Sequence, residues 1–280
     1  MSADLHTHSR VSDGTEAPAE LIRAAVAAGL STIALTDHDS TDGWDEASEA
    51  ARSLGLRLLP GIELSTRTNG HSVHLLGYLV DRLDPELVAE TERIRTSRQH
   101  RAEAIVERID ADYPLSWQDV LAQSQPGTTI GRPHIADALV ARGYSANRGE
   151  AFAGILHPRS GYLEPHYAPD TLEGVRLIRA AGGVPVLAHP GTRGADRVVP
   201  RDRLAALVEA GLFGLEIDHP ENREDAKAAL RTLAREFGLA TTGSSDYHGT
   251  GKVNRLGEHT TSPEVVEEII RQARGSEPVH

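Results

Sequence analysis

The chemistry of this chain starts at His6-Thr7-His8, where two imidazoles two residues apart in an extended stretch would point to the same side and reach one ion. Alone, such a pair matches by chance about as often as it binds. Further candidates follow the apolar runs: Asp37-His38-Asp39 after 32–36, Glu63 closing 56–64, His74 inside 73–80, and His189-Pro190 after 184–188. His219-Pro220 follows 212–217, and Asp246-Tyr247-His248 follows 239–242. Imidazoles and carboxylates are the donors that divalent transition metals take when sulfur is absent, and the chain has no cysteine. That also removes disulfides, zinc-thiolate sites and thiol catalysis. Asp13, in Ser12-Asp13-Gly14, reads from its neighbours alone as a turn residue.

Bringing these side chains together requires the apolar runs to be strands of one sheet. The runs 3–6, 32–36, 56–64, 73–80, 184–188, 212–217 and 239–242 alternate for the most part with helical patterns at 17–28, 42–54, 170–181, 201–210, 223–237 and 263–274. Such alternation predicts a mainly parallel sheet covered by helices, closed into a barrel or doubly wound, with ligands at the carboxyl ends of the strands. Nearly every strand would then deliver a metal-competent side chain to one mouth. Residues 81–168 break the pattern, with helical periodicity at 86–109, 117–124, 133–141 and 148–156 and no convincing strand. The expected organisation is a first barrel part over 1–80, a helical insertion over 81–168 that caps the substrate, and a second barrel part over 169–280. The first inserted helix carries Arg93, Arg95, Arg98, Arg101 and Arg108, which read either as a solvated face or as a phosphate clamp. Residues 275–280 read as a loose end.

With 280 residues and 39% hydrophobic content the chain can bury a full core, and with 4% aromatics that core must rest on Leu, Ile, Val and Ala. A formal net charge of -12 argues against a protein that coats duplex DNA, since duplex affinity comes from Lys and Arg on phosphates. A small anionic substrate stays compatible if metal ions or a few arginines supply local positive charge. The start Met1-Ser2-Ala3-Asp4-Leu5-His6 has neither the basic opening nor the apolar stretch of a signal peptide, and no run approaches a membrane span. A cytoplasmic location and no membrane partner are expected; protein partners are not indicated.

His6-Thr7-His8, Thr36-Asp37-His38-Asp39, Gly61-Ile62-Glu63, His74-Leu75-Leu76-Gly77, Ala188-His189-Pro190 and Ser245-Asp246-Tyr247-His248 together resemble the PHP (polymerase and histidinol phosphatase) superfamily over essentially the whole chain. The resemblance implies an α/β fold, a distorted (β/α)7 barrel with a helical insertion, and a centre of two to three metal ions. Position by position it implies one ion on His6, His8, Glu63 and Asp246, a second on Glu63, His74 and His189 with Glu63 as bridge, and a third on Asp13, His38 and His248. Asp13 stands where the histidinol phosphatase branch has a histidine. With Gly131-Arg132-Pro133-His134 and Leu256-Gly257-Glu258, it resembles the branch that acts on nucleoside 3′,5′-bisphosphates, with relatives that trim short RNA from its 5′ end.

The implied reaction is hydrolysis of the 3′-phosphate of a bisphosphate such as adenosine 3′,5′-bisphosphate, leaving AMP, by a hydroxide generated between two dications that share a carboxylate. The partner is a small phosphorylated nucleotide, with short single-stranded RNA as a second substrate. Arg132, His134 and Arg98 are candidates for holding substrate phosphate, although Arg132 also reads as a helix-start residue and His134 as a core histidine. Asp39 and His219 are candidates for proton handling, against plain structural roles. The imidazole-rich donor set favours Mn²⁺, with Fe²⁺ or Zn²⁺ as alternatives, over Mg²⁺. Competing readings are a phosphatase of another small phosphomonoester such as histidinol phosphate, and a non-catalytic metal-stabilised module that binds nucleic acid.

Overall fold

A computed structural model describes residues 2–192 and 200–280. Its seven strands form one sheet in chain order. β1 (Ala3–Asp4), β2 (Thr32–Leu35) and β3 (Arg57–Thr68) pair in parallel, as do β5 (Val184–Leu187), β6 (Gly214–Asp218) and β7 (Ala240–Gly243). β4 (His71–Tyr78) runs antiparallel to both neighbours. Strand–helix alternation does not anticipate this reversal, but the residues between β3 and β4 explain it. Asn69 and Gly70 have φ of 50° and 79°, the double positive φ of a two-residue hairpin turn whose twist matches that of the strands. Both strands therefore run further toward the turn than the apolar runs indicate.

β1 and β7 share no ladder among the described residues. Their gap is crossed by a Thr7–Tyr247 bridge, in which His8 N donates to Tyr247 O at 2.9 Å, and by the buried carboxylate of Asp4. Asp4 accepts Ser245 N at 3.0 Å and Gly257 N at 2.9 Å. Thr261 completes the seam, donating its backbone N to Ala3 O at 2.9 Å and bonding both backbone groups of Gly243 through its hydroxyl. The result is a nearly closed seven-stranded α/β barrel.

Successive strand residues alternate between two apolar clusters, as the pleat requires. Ile33, Leu35, Leu58, Leu75, Leu187, Leu215 and Ile217 pack in one cluster with Leu21 and Ile22 of α1 (Pro18–Ala27) and Trp44 of α2 (Trp44–Leu54). The same cluster takes Ile178 of α7 (Thr171–Ala180), Leu204 of α8 (Arg201–Glu209) and Leu230 of α9 (Glu224–Phe237). Ala34, Leu59, Leu76 and Val186 face the other way, into a cluster with Leu5 and with Val266 and Ile269 of α10 (Pro263–Gln272). Both faces of the sheet are buried, so the strands are apolar throughout rather than half polar.

Between β4 and α7 lie α3 (Pro85–Asp110), α4 (Trp117–Leu121), α5 (Arg132–Ala141) and α6 (Arg148–Ala153). Asp84 starts α3 by accepting Glu86 N and Leu87 N. These helices have their own apolar cluster, including Ile105, Ile109, Val120, Ile135 and Leu139. They are fastened to the barrel through Thr129 N on Val11 O at 2.9 Å, Arg148 Nη1 on Asp13 O at 3.0 Å and an Arg98–Asp39 ion pair at 2.8 Å.

The carboxyl-terminal residues are not a loose end. Val279 exchanges backbone hydrogen bonds with Leu58 at 2.8 and 3.0 Å, and Ser276 N donates to Leu79 O at 2.9 Å. This tail pairs with β3, and burial of Val279 adds an apolar contact. Among the described residues no helix is long and apolar enough to cross a membrane.

Candidate metal centre at the barrel mouth

The ladder of β1 ends at Asp4, two residues before the first histidine, yet the chain stays extended through Thr7. Thr7 turns its hydroxyl to Ala34 O at 2.6 Å, which leaves His6 and His8 together on the opposite side. Beyond β2 the chain continues beside β3, with His38 opposite Glu63. His74 lies inside its strand, as read from the sequence. It lies near the start of β4, and because β4 is reversed, its opening residues stand at the carboxyl ends of the parallel strands. His189 and Asp246 follow β5 and β7 with φ of 30° and 54°, and Asp39 has φ of 51°. Three of the five positive-φ non-glycine residues among those described thus belong to this mouth, where such backbone strain is commonly kept for function.

His6 Nε2 lies 3.3 Å from Glu63 Oε2 and 3.4 Å from Asp246 Oδ1, and His8 Nε2 lies 3.2 Å from each of the same oxygens. Despite these spacings, His6 Nε2, His8 Nε2 and Glu63 Oε2 are buried without a hydrogen-bond partner. Donor atoms that crowd together yet do not bond one another share a common focus. Ligands ~2.0–2.1 Å from one ion sit ~3.3–3.4 Å apart when tetrahedral, so the donors fit a divalent metal as they stand. Glu63 also offers its other oxygen, with Oε1 2.7 Å from His74 Nδ1 and 3.2 Å from His189 Nε2. His38 Nδ1 stands 2.9 Å from Glu63 Oε2 and forms a close group with Glu63 and His74, whereas His189 groups with His6 and Glu216. Asp13, His38 and His248 come together with His8 as a fourth member. Asp13 Oδ1 is 3.1 Å from His248 Nε2, and Oδ2 is 3.7 Å from His38 Nε2. All nine expected ligands therefore line one mouth.

Asp37 holds the loop that presents Asp13. Its oxygens accept Ser9 N at 2.8 Å, Ser12 Oγ at 2.7 Å and Ser9 Oγ at 2.6 Å. Gly14 is required there, because a Cβ would lie 2.5 Å from His8 O.

Two residues that sequence reasoning passed over are central. Glu216, buried in β6, meets His6 Nδ1 at 3.0 Å with Oε1 and accepts His189 N at 2.9 Å with Oε2. It fixes the His6 ring so that Nε2 faces the focus, the usual duty of a carboxylate behind a metal-binding histidine. Its signal was an acid alternating with Leu215 and Ile217 onto the inner face. Lys252, one of only two lysines in the chain, places Nζ 2.5 Å from Asp246 Oδ2 and 3.1 Å from Glu221 Oε1. Asp246 therefore divides its oxygens, one toward the histidines and one toward Lys252.

The candidates for substrate and proton work are distributed differently. Asp39 accepts Ser65 N at 2.7 Å and Ser65 Oγ at 2.8 Å and pairs with Arg98 Nε, with no histidine among its described partners. Arg98 is buried and donates Nη2 to Ser65 Oγ at 2.7 Å, so it fastens α3 to β3 rather than forming a solvated face. His134 is buried, and its Nδ1 accepts Gly131 N at 3.1 Å at the start of α5. Arg132 lines a cleft of 340 Å³ with His74 and His189, its guanidinium 5.7 Å from the centre of the Phe152 ring. His219 is buried beside the cluster; its Nδ1 accepts Glu221 N at 3.1 Å and its Nε2 stands 3.6 Å from Asp246 Oδ2.

In the metal-free cluster the charges set one another. Burial would lower the His8 pKa, but the nearby carboxylates of Asp246 and Glu63 carry it up to about 9. Burial likewise opposes the ionised form of Glu63, yet His38, His74 and His6 hold its carboxyl well below the usual range. Burial dominates for His74 and lowers it to about 4 despite Glu63.

The profile of the family described as PHP domain matches residues 4–119. A 3′,5′-nucleoside bisphosphate phosphatase of Chromobacterium violaceum is 33% identical over 278 residues, 96% of this chain and 95% of its own length. A 5′-3′ exoribonuclease of Haemophilus influenzae is 32% identical over 247 residues, covering 88% and 89%. A phosphoribosyl 1,2-cyclic phosphate 1,2-diphosphodiesterase of Eggerthella lenta is 32% identical over 262 residues, covering 92% and 98%. A solved structure from Bifidobacterium adolescentis, assigned as a metal-dependent phosphoesterase, superposes with a TM-score of 0.94 at 41% identity, covering 97% and 96% of the two chains.

Proposed function

This chain belongs to the PHP-domain family and is a metal-dependent phosphoesterase, and from that premise we propose that it removes the 3′-phosphate of nucleoside 3′,5′-bisphosphates such as adenosine 3′,5′-bisphosphate. The observation that carries the substrate class is a pair of clefts meeting at the donor cluster. One, of 340 Å³, is lined by His74, Arg132 and His189; the other, of 870 Å³, by Asp13, Phe152, His248 and Lys252; Glu221 lines both. These volumes suit a nucleotide whose reacting phosphate sits at the cluster and whose remainder extends beyond it. The bisphosphate phosphatase relative supports this choice, and the exoribonuclease relative supports trimming of short 5′-phosphorylated RNA as a second activity.

The nine donors fit two to three divalent ions, for which we take Mn²⁺ ahead of Fe²⁺ and Zn²⁺ because imidazole dominates the set. Such ions supply an activated water at neutral pH and neutralise charge on the phosphoryl oxygens. The protein's own residues do the rest. Glu216 keeps the Nδ1 hydrogen of His6 in place, so that Nε2 offers its lone pair to the centre. His219 accepts a backbone N–H at Nδ1, so its ring hydrogen lies on Nε2, from which it would donate a hydrogen bond to the leaving oxygen. Arg132, at the cleft wall, takes phosphate oxygens through its planar fork. Arg98, Asp39 and His134 hold the helical cap and the loops at the required distance.

The test is phosphate release by Mn²⁺-loaded protein from adenosine 3′,5′-bisphosphate, run beside 5′-AMP, 3′-AMP, histidinol phosphate and a short 5′-phosphorylated RNA. Selective turnover of the bisphosphate, lost on chelation, is expected; preference for histidinol phosphate would overturn the substrate assignment.

A further inference from the structure

We infer that Arg101, with Arg67 beside it, forms a second anion site that takes the non-reacting phosphate of a doubly phosphorylated substrate. The inference rests on the substrate class given above and deepens it. Arg101 lies one turn after Arg98 on α3, on the face turned to the barrel. Its Nε is sealed from solvent with no hydrogen-bond acceptor, and the side chain has no ion pair among the described residues. Among the described residues, the Arg67 side chain, at the far end of β3, donates only to neutral carbonyls, His166 O at 3.4 Å and Gly70 O at 2.5 Å. Asp39, the carboxylate that acts on Arg101, is already engaged by Arg98 and Ser65.

Burial and the neighbouring guanidinium groups of Arg98 and Arg132 pull the Arg101 pKa down to about 9, with Arg67 adding to the effect. Burial together with Arg98 and Arg101 lowers His166 to about 3. Positive charge is therefore concentrated in this corner of a chain whose net charge is -12. Sequestering a guanidinium beside like charges is unfavourable unless an anion joins it. A phosphate supplies two or more oxygens to such a fork and relieves the mutual repulsion. The location is right for one end of a nucleotide: Arg132, which repels Arg101, lines the same cleft as His74 and His189. A substrate with its reacting phosphate at the metal centre would extend its second phosphate into this corner.

The experiment uses metal-loaded protein and two probes. 5′-AMP carries only the phosphate assigned to Arg101, and 3′-AMP only the one assigned to the metal centre. Arg101→Gln is expected to weaken 5′-AMP binding in calorimetry by ~30-fold or more, the scale of truncating one partner of a buried charge pair. It should lower kcat/KM for adenosine 3′,5′-bisphosphate by a similar factor and leave kcat/KM for 3′-AMP within ~threefold. Arg101→Lys, which keeps the charge and loses the fork, should recover part of the 5′-AMP affinity. Unchanged melting temperature and metal content separate these effects from misfolding. Unchanged 5′-AMP affinity in Arg101→Gln, or equal losses for both monophosphates, would overturn the site. If the wild-type enzyme prefers another phosphoester, the substrate class falls, while the 5′-AMP titration still decides whether Arg101 binds phosphate.

Discussion

Replacing Glu216 by glutamine should weaken the metal centre without altering any of the nine proposed ligands. The carboxylate serves two donors at once, meeting His6 Nδ1 at 3.0 Å and His189 N at 2.9 Å. An amide has one oxygen. If it stays with His189 N, the NH2 group faces His6 Nδ1, and the ring must move its hydrogen to Nε2, where the lone pair for a metal is lost. If it stays with His6, a buried backbone N–H is left opposite another donor, at a cost of ~1–3 kcal/mol. Either outcome removes a negative charge behind the cations. Carboxylates in this position usually contribute ~10–100-fold to metal affinity, about 1.4–2.7 kcal/mol. Chelator competition should show a dissociation constant raised by that factor, while kcat at saturating metal stays closer to wild type. Affinity unchanged within ~threefold would refute the claim that Glu216 orients His6.

Four further outcomes follow from the same contacts. Metal-free protein near about pH 7 holds His8 protonated, because Asp246 and Glu63 overcome burial and lift it to about 9. Calorimetric titration in buffers of different ionisation enthalpy should reveal net proton release on metal binding; a buffer-independent heat would contradict it. Since that folded-state pKa is raised, the stability it contributes is full below the unfolded value of ~6.5 and is lost as pH rises through about 9. Metal-free protein should thus melt at a lower temperature above about pH 9 than near about pH 7, and an unchanged melting temperature would count against the ion pairs. Asp39→Ala should destabilise the fold by ~3–5 kcal/mol, because it strands buried Arg98; denaturant unfolding that finds under ~1 kcal/mol would show the pair to be dispensable. Gly70→Ala should cost ~1–2 kcal/mol by conformation alone, since a Cβ there meets nothing within 4 Å, and a neutral result in equilibrium unfolding would argue against the turn geometry.

The candidate donor cluster was largely legible because imidazoles and carboxylates that can hold a metal are chemically rare and here follow apolar runs, so their positions along the chain show which end of the sheet they share. His74 was legible as a donor but not in its placement, because strand direction depends on the Asn69-Gly70 turn rather than on apolar content. Glu216 and Lys252 act through a second residue, and a single chain does not display such distances. Arg98 illustrates the same limit from the other side. An arginine among five on one helix reads as solvated until Asp39, 59 positions earlier (98 − 39), is folded against it. The tail also misled: Val279 lies in a polar, proline-containing ending, but its backbone pairs with Leu58 in the interior of the chain.

The seam between β1 and β7 gives the first proposed ion a mechanical duty as well as a chemical one. With no ladder there among the described residues, the seam is held by a few hydrogen bonds, and an ion at the donor cluster would act as its clasp, held by His6 and His8 from one lip and Asp246 from the other. Those lips are 240 positions apart (246 − 6), so an ion gripping both ties almost the whole chain into a single loop. Proteins rich in cysteine obtain such long-range tethers from disulfides, and this chain has none to use. Part of the free energy of metal binding would then be free energy of folding. Metal starvation would unlatch the ring at the same place where it halts hydrolysis, so the inactive enzyme would also be the one most exposed to proteolysis.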